Sequence, residues 1–159
     1  MTQALNPFAG VRDAQISGSG NYLGAGNYEL EITKMEWVNA QEGYQALVVA
    51  FTIIESDNPK FKAGQEASWF QKKNESFKAE AKAFCIAAVG YDHRKEEHAE
   101  AIRTKVEPHS EGLLFKGLTE NRLKGRRVKV TVFEKPQKKN PTKNFSKHVF
   151  GPSTQAPLF

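Results

Sequence analysis

Apolar and polar residues alternate along the first half of the chain with the two-residue period of half-buried β-strands. Tyr28, Leu30 and Ile32 alternate with polar residues, whereas Met35 and Trp37 continue the apolar pattern on odd-numbered positions. This change of register predicts a long strand with a β-bulge near residue 34, because one extra residue moves the following side chains to the other face.

The next pattern predicts two more strands and a helix. Residues 44–55 form the strongest strand, and a third is predicted at 64–72. A helix then begins at a cap provided by Asn74 or Ser76 and ends at Gly90. Cys85 falls on its apolar stripe and is predicted to be a small core residue. The apolar face of the second strand consists of Leu47, Val49, Phe51 and Ile53.

The region after the first helix carries weaker signals. A second helix is predicted at residues 94–105, with Ala99, Ile102 and Val106 facing inward and Pro108 limiting its length. Residues 109–121 are expected to be an irregular linker. Two strands at 125–134 and 144–150 then flank a basic loop, residues 135–143, that two prolines interrupt.

The element order predicts a mainly β fold with a helical insertion. Three strands, a helix and two strands match a five-stranded OB-fold-like barrel with its helix between strands 3 and 4. Another antiparallel barrel or sandwich is the structural alternative. We expect residues 1–26 to be an arm with a short strand near 11–16, residues 27–150 to be the domain, and residues 151–159 to be a loose tail.

Positive charge is concentrated in the C-terminal hairpin. Residues 122–147 hold ten Lys or Arg and one acid, leaving thirteen bases and seventeen acids elsewhere. In strand 125–134, alternation places Val128, Val130 and Val132 inside, so that Lys129 and Phe133 share the outer face. An exposed phenylalanine beside cations is expected of a single-stranded nucleic-acid groove. The alternative is a solvated, charge-protected edge strand.

The predicted contacts to nucleic acid are the basic residues of the hairpin and Phe133, with four weaker aromatic candidates that could equally belong to the core. The main set is Arg126, Arg127, Lys129, Phe133, Lys135, Lys138, Lys139, Lys143 and Lys147, and the weaker candidates are Trp37, Tyr44, Trp69 and Phe145.

The sequence gives no pattern typical of catalysis or of a metal site. The four histidines and Cys85 lack zinc-ligand spacing, and neither a nucleophile elbow nor a Walker loop is present. No enzyme, cofactor or metal is therefore expected.

The apolar runs are too short for a membrane span, and no signal peptide is expected. A single cysteine favours a reducing compartment such as the cytoplasm.

Five short motifs lie near the two ends of the chain. They are NPFAGV at 6–11, GNY at 20–22, GNYEL at 26–30, VTVF at 130–133 and NFSKHVFGP at 144–152. Together they resemble small phage-encoded proteins of the OB-fold single-stranded DNA-binding class. The resemblance covers most of the chain and includes no catalytic motif. Such proteins often end in an acidic tail tipped by phenylalanine. Here Phe159 is present without the acids, which weakens any expectation that the tail recruits partners.

These observations predict a non-catalytic protein that binds single-stranded DNA largely without sequence preference. The resemblance implies a place in phage DNA replication or recombination, with proteins of that process as partners, in the host cytoplasm and away from membranes. Two alternatives remain open: a protein-interaction or virion module whose basic hairpin binds an acidic partner, and a small nuclease or nucleotide-handling enzyme.

Overall fold

The protein folds around one antiparallel sheet of five strands. A computed structural model describes residues 22–39, 45–136 and 144–159, so the strand predicted near 11–16 and the turn at 40–43 lie outside the described residues. The strands are β1 (Gly26–Asn39), β2 (Gln45–Ser56), β3 (Glu66–Lys72), β4 (Arg127–Pro136) and β5 (Asn144–Pro152). Their order is β3-β2-β1-β4-β5, which makes β3 and β5 the edge strands. The predicted mainly β fold, with helices inserted after the third strand, is confirmed.

Strand β1 is the centre of the sheet and bends at the predicted bulge. Its pairing with β2 shifts register between Glu29 and Leu30 and again between Ile32 and Lys34. Before the second shift the buried side chains belong to even-numbered residues, such as Leu30 and Ile32. After it, the buried side chain is that of the odd-numbered residue Met35. The bend allows β1 to pair with β2 along most of its length while residues 26–31 also pair with β4.

Helix α1 (Phe77–Val89) covers the core and joins both edges of the sheet. Phe84 is 0% exposed, and its ring lies 5.4 Å from Trp69 of β3 and 5.4 Å from Phe150 of β5. Gly90 ends the helix in the left-handed region, with φ of 118°, as predicted. Cys85 is buried, and this burial raises the pKa of its thiol to about 12.

Residues 96–120 form a continuous helical run, which corrects the irregular linker expected at 109–121. Pro108 does not stop it, because the residue lies at the start of a new turn, where a missing N–H is tolerated. Ile102 and Val106 are buried as predicted, whereas Ala99 is exposed and that prediction was wrong. The run contains the 3₁₀ turn Glu96–His98, α2 (Ala99–Ala101), the π-helical segment Ile102–Val106, the 3₁₀ turn Glu107–His109 and α3 (Ser110–Glu120).

Helix α3 was missed although its sequence carries a helical signal. Leu113, Leu114 and Leu118 have helical spacing, and all three pack against the core. Gly117 lies so close to β1 that a Cβ atom there would be 2.6 Å from the sulfur of Met35. Two glycines within the segment lowered the apparent helix propensity. Across the described ranges, no helix has the length and apolar character needed to cross a bilayer.

The C-terminal residues pack on the domain, in contrast to the loose tail expected at 151–159. The backbone N–H of Leu158 donates to the carbonyl oxygen of Val89 at 2.8 Å, beyond the end of α1. The hydroxyl of Tyr91 donates to a Phe159 oxygen at 2.7 Å. Arg126 adds a bond to the carbonyl oxygen of Ala156 at 3.0 Å. The tail therefore helps to satisfy hydrogen-bonding groups at the end of the helix.

Replacing Phe84 with alanine should destabilise the protein by about 3–5 kcal/mol, because it opens a cavity where α1, β3 and β5 meet. The measurement is the free energy of unfolding from urea denaturation. Phe115→Ala is the matched control, since Phe115 on α3 is 64% exposed and its loss should change stability by no more than about 0.5 kcal/mol. Equal effects of the two variants would show that Phe84 does not join the edges of the sheet.

Candidate nucleic-acid interface

Strand β4 places its side chains as the alternation predicts. Val128, Val130 and Val132 are buried in the core. Phe133 is 46% exposed and Lys129 is also exposed, so both belong to the outer face. A slip of one residue would have exchanged Phe133 with Val132. The register on which the candidate interface depends is therefore confirmed.

Strand β5 extends this outer face on one side. Lys147 is exposed and pairs directly with Phe133 across the strands. Val149 pairs with Thr131 and Gly151 with Lys129. Side chains of directly paired residues in antiparallel strands lie about 4.5–5.5 Å apart at Cβ. Phe133 and Lys147 therefore form an aromatic and cationic pair, which we call the Phe133–Lys147 platform.

Strand β1 borders the outer face on the other side and brings acids to it. Arg127 Nε lies 3.3 Å from the carboxylate of Glu31. Glu29 is paired in register with Lys129. These acids offset the positive charge near the middle of the sheet, whereas Lys147 on β5 is paired in register with Phe133.

Two predicted contact residues prove to be structural. Arg126 turns away from the outer face and donates from its guanidinium to the carbonyl oxygens of Ala88 at 2.8 Å and Val89 at 2.9 Å, in addition to its bond to the tail. Burial lowers the pKa of this guanidinium. Trp69 is 3% exposed and its ring lies 4.7 Å from that of Phe150, so it belongs to the core. Trp69 lies on the inward face of β3, whereas Arg126 immediately precedes β4 and reaches the carbonyl groups at the end of α1.

The remaining candidates are separated from the platform or lie outside the described residues. Trp37 is half-buried and packs edge-on against Phe77 at 5.5 Å, in the part of β1 beyond its pairing with β4. Lys135 and Phe145 pair in register within the hairpin, but their side chains are not described. Tyr44, Lys138, Lys139 and Lys143 lie outside the described residues.

A cleft of about 620 Å³ adjoins the platform, between the edge strands β3 and β5. Its floor contains Trp69 and His148, and Lys147 lies at its rim. Tyr22, 51% exposed, forms part of the opposite rim, where its backbone bridges to Ser68 of β3. The sequence did not indicate this cleft, because Tyr22 lies in a glycine-rich segment and the two edge strands are distant in sequence.

His148 is an unusual feature of the cleft floor. Its ring is stacked on Phe150 with centroids 6.1 Å apart, and it lies 6.4 Å from the ring of Trp69. Its Nε2 atom is buried and has no hydrogen-bond partner in the described part of the protein. Burial lowers the pKa of the imidazole to about 4, so the ring is neutral at physiological pH.

The described residues include no group of three or more His, Cys, Asp or Glu side chains that could hold a metal ion.

Comparison with known proteins does not assign the chain to a family. No protein-family model matches the chain, and no curated protein sequence matches it at a significant level.

The His148 pKa predicts a fall in stability on acidification. The unfolded chain takes up the His148 proton near pH 6.5 and the folded protein only near pH 4. The unfolded state therefore holds more protons in this window, and stability present above pH 6.5 is lost as the pH falls toward 4. The loss should reach about 3 kcal/mol in urea denaturation across this range. His148→Phe keeps a ring but does not titrate, so its profile should be flatter by that amount. If the stability of wild type and of His148→Phe changed with pH in the same way, the pH dependence could not be assigned to His148.

Proposed function

We propose that this protein binds single-stranded DNA, largely without sequence preference, through the outer face of the β4–β5 hairpin. The observation that carries the proposal is the Phe133–Lys147 platform: a 46% exposed aromatic ring paired in register with an exposed lysine. Lys129 lies on the same face two residues along β4. Bases would stack on Phe133 while the lysines contact backbone phosphates.

The chemistry of this face favours a single strand over a duplex. An exposed ring can stack on any base, but only where the base is not already paired and stacked in a helix. Lysine contacts to phosphate carry no sequence information. A site that combines the two would accept unpaired DNA of varied sequence. We infer a binding role in replication or recombination of phage DNA, as the motif resemblance implies.

We further propose that the sheet is an OB-fold barrel left open between β3 and β5. Supporting this assignment, the helices lie between the third and fourth strands, and β1 pairs with both β2 and β4. The rings of Trp69, Phe84 and Phe150 pack together between the two edges. The OB-fold is a partly open five-stranded barrel that binds oligonucleotides with one sheet face and two loops, one of them between strands 4 and 5.

Binding to a labelled oligo(dT) should weaken steeply with salt. Each neutralised phosphate of a single strand contributes about −0.7 to the log–log slope, so four to six contacts give roughly −3 to −4. Lys147→Gln should make the slope shallower by about 0.7, since one contact is lost. Lys105→Gln, which removes an exposed charge from the helical insertion, is the control and should leave the slope unchanged. A wild-type slope near zero would exclude a phosphate-binding groove.

Phe133→Ala tests the platform itself. If bases stack on the ring, the change should weaken oligo(dT) binding by about 1–3 kcal/mol in fluorescence anisotropy. Thermal stability should change little, because an exposed ring leaves no cavity when it is removed. The control is Phe115→Ala, another exposed phenylalanine on a different face, which should bind normally. Unchanged affinity of Phe133→Ala would show that bases do not stack on this ring and would overturn the platform as the binding surface.

A further inference from the structure

We propose that the cleft between β3 and β5 receives one unpaired nucleobase of the bound strand, with Tyr22 as its stacking partner. This inference rests on the proposed function, because it assigns a second contact to the same single strand. The cleft lies at the gap between the two edge strands, where inward side chains of β3 and β5 line its walls.

The size and lining of the cleft suit a flat, partly polar ligand. Its volume of about 620 Å³ falls within the range of roughly 300–1,000 Å³ that is usual for small-molecule sites. Tyr22 presents an exposed ring, and its position beside β3 is fixed by the backbone bridge to Ser68. Gln71 and Ser146 add amide and hydroxyl groups to the walls. A nucleobase offers a π-face to the ring and hydrogen-bonding groups to the walls.

The floor of the cleft is aromatic. Trp69 and His148 line it, and the Nε2 atom of His148 is covered by the surrounding residues. A base that enters the cleft therefore meets ring surfaces at the floor and hydrogen-bonding groups at the walls.

Charge at the cleft favours a base inside and the phosphate outside. Glu80 of α1 lines the cleft on the helix side and would repel a phosphate placed deep within it. Lys147 lies at the opposite rim and is also the cationic member of the Phe133–Lys147 platform. A phosphate held at Lys147 would therefore place one neighbouring base on Phe133 and the other at the cleft. Paired bases cannot separate in this way without melting.

The test uses labelled oligo(dT) with the full-length protein. Tyr22→Ala should weaken binding roughly 5- to 150-fold, the loss expected for one stacked base, whereas Tyr22→Phe should bind like wild type. Ser146→Trp, which fills the cleft from an exposed position, should weaken binding to a similar extent. In a Trp37→Phe background, the remaining Trp69 at the floor should change its fluorescence when oligo(dT) is added.

The outcomes separate this inference from the proposed function. If Tyr22→Ala and Ser146→Trp bind normally while Phe133→Ala is weakened, the cleft proposal is overturned and the platform stands. If wild-type protein binds no oligo(dT) at low salt, both proposals fall. Weakened binding by both cleft variants, with unchanged melting temperatures and rescue by Tyr22→Phe, would support the cleft.

Discussion

The contact between Phe84 and the rings of Trp69 and Phe150 holds the two edges of the sheet together. Strands β3 and β5 are at opposite ends of the strand order, so backbone pairing along the sheet does not by itself bring them close. The edges meet directly where the ring of Trp69 lies 4.7 Å from that of Phe150, and Phe84 of α1 packs against both rings at 5.4 Å. Burial of three large aromatic side chains is among the strongest local contributions to a small core. The two edges of the sheet are therefore joined by a cluster of three aromatic rings, one of which comes from α1.

This contact also determines where the proposed interface can lie. With Phe150 anchored in the core, strand alternation directs Lys147 outward and His148 toward the gap between the edges. The cleft lies beside Trp69, which forms part of its lining together with residues of β5. The platform and the cleft therefore lie next to each other, and Lys147 contributes to both.

Local patterns predicted most of the sheet, but contacts between distant segments were not available from them. The bulge near Lys34, the helix end at Gly90 and the exposure of Phe133 all follow from periodicity and backbone preference, and the structure confirms each. Helix α3 was missed because Gly112, Gly117 and Pro108 obscured its apolar spacing. The cleft was missed for a different reason: it requires Tyr22 to meet β5, and no single-sequence pattern pairs these segments.

The charge count of the hairpin overstated how many cations a ligand would meet. The consecutive residues Arg126 and Arg127 have different roles: the first, which precedes β4, binds backbone carbonyls and the second lies against Glu31. Arg122 is similarly placed 3.3 Å from Glu120. Lys129 lies across from Glu29, whereas Lys147 is paired with an aromatic ring. On the described face, the available positive charge therefore lies mainly on β5, beside Phe133 and the cleft. This charge distribution would direct an approaching polyanion to the β5 edge of the sheet, which is where the proposed interface lies.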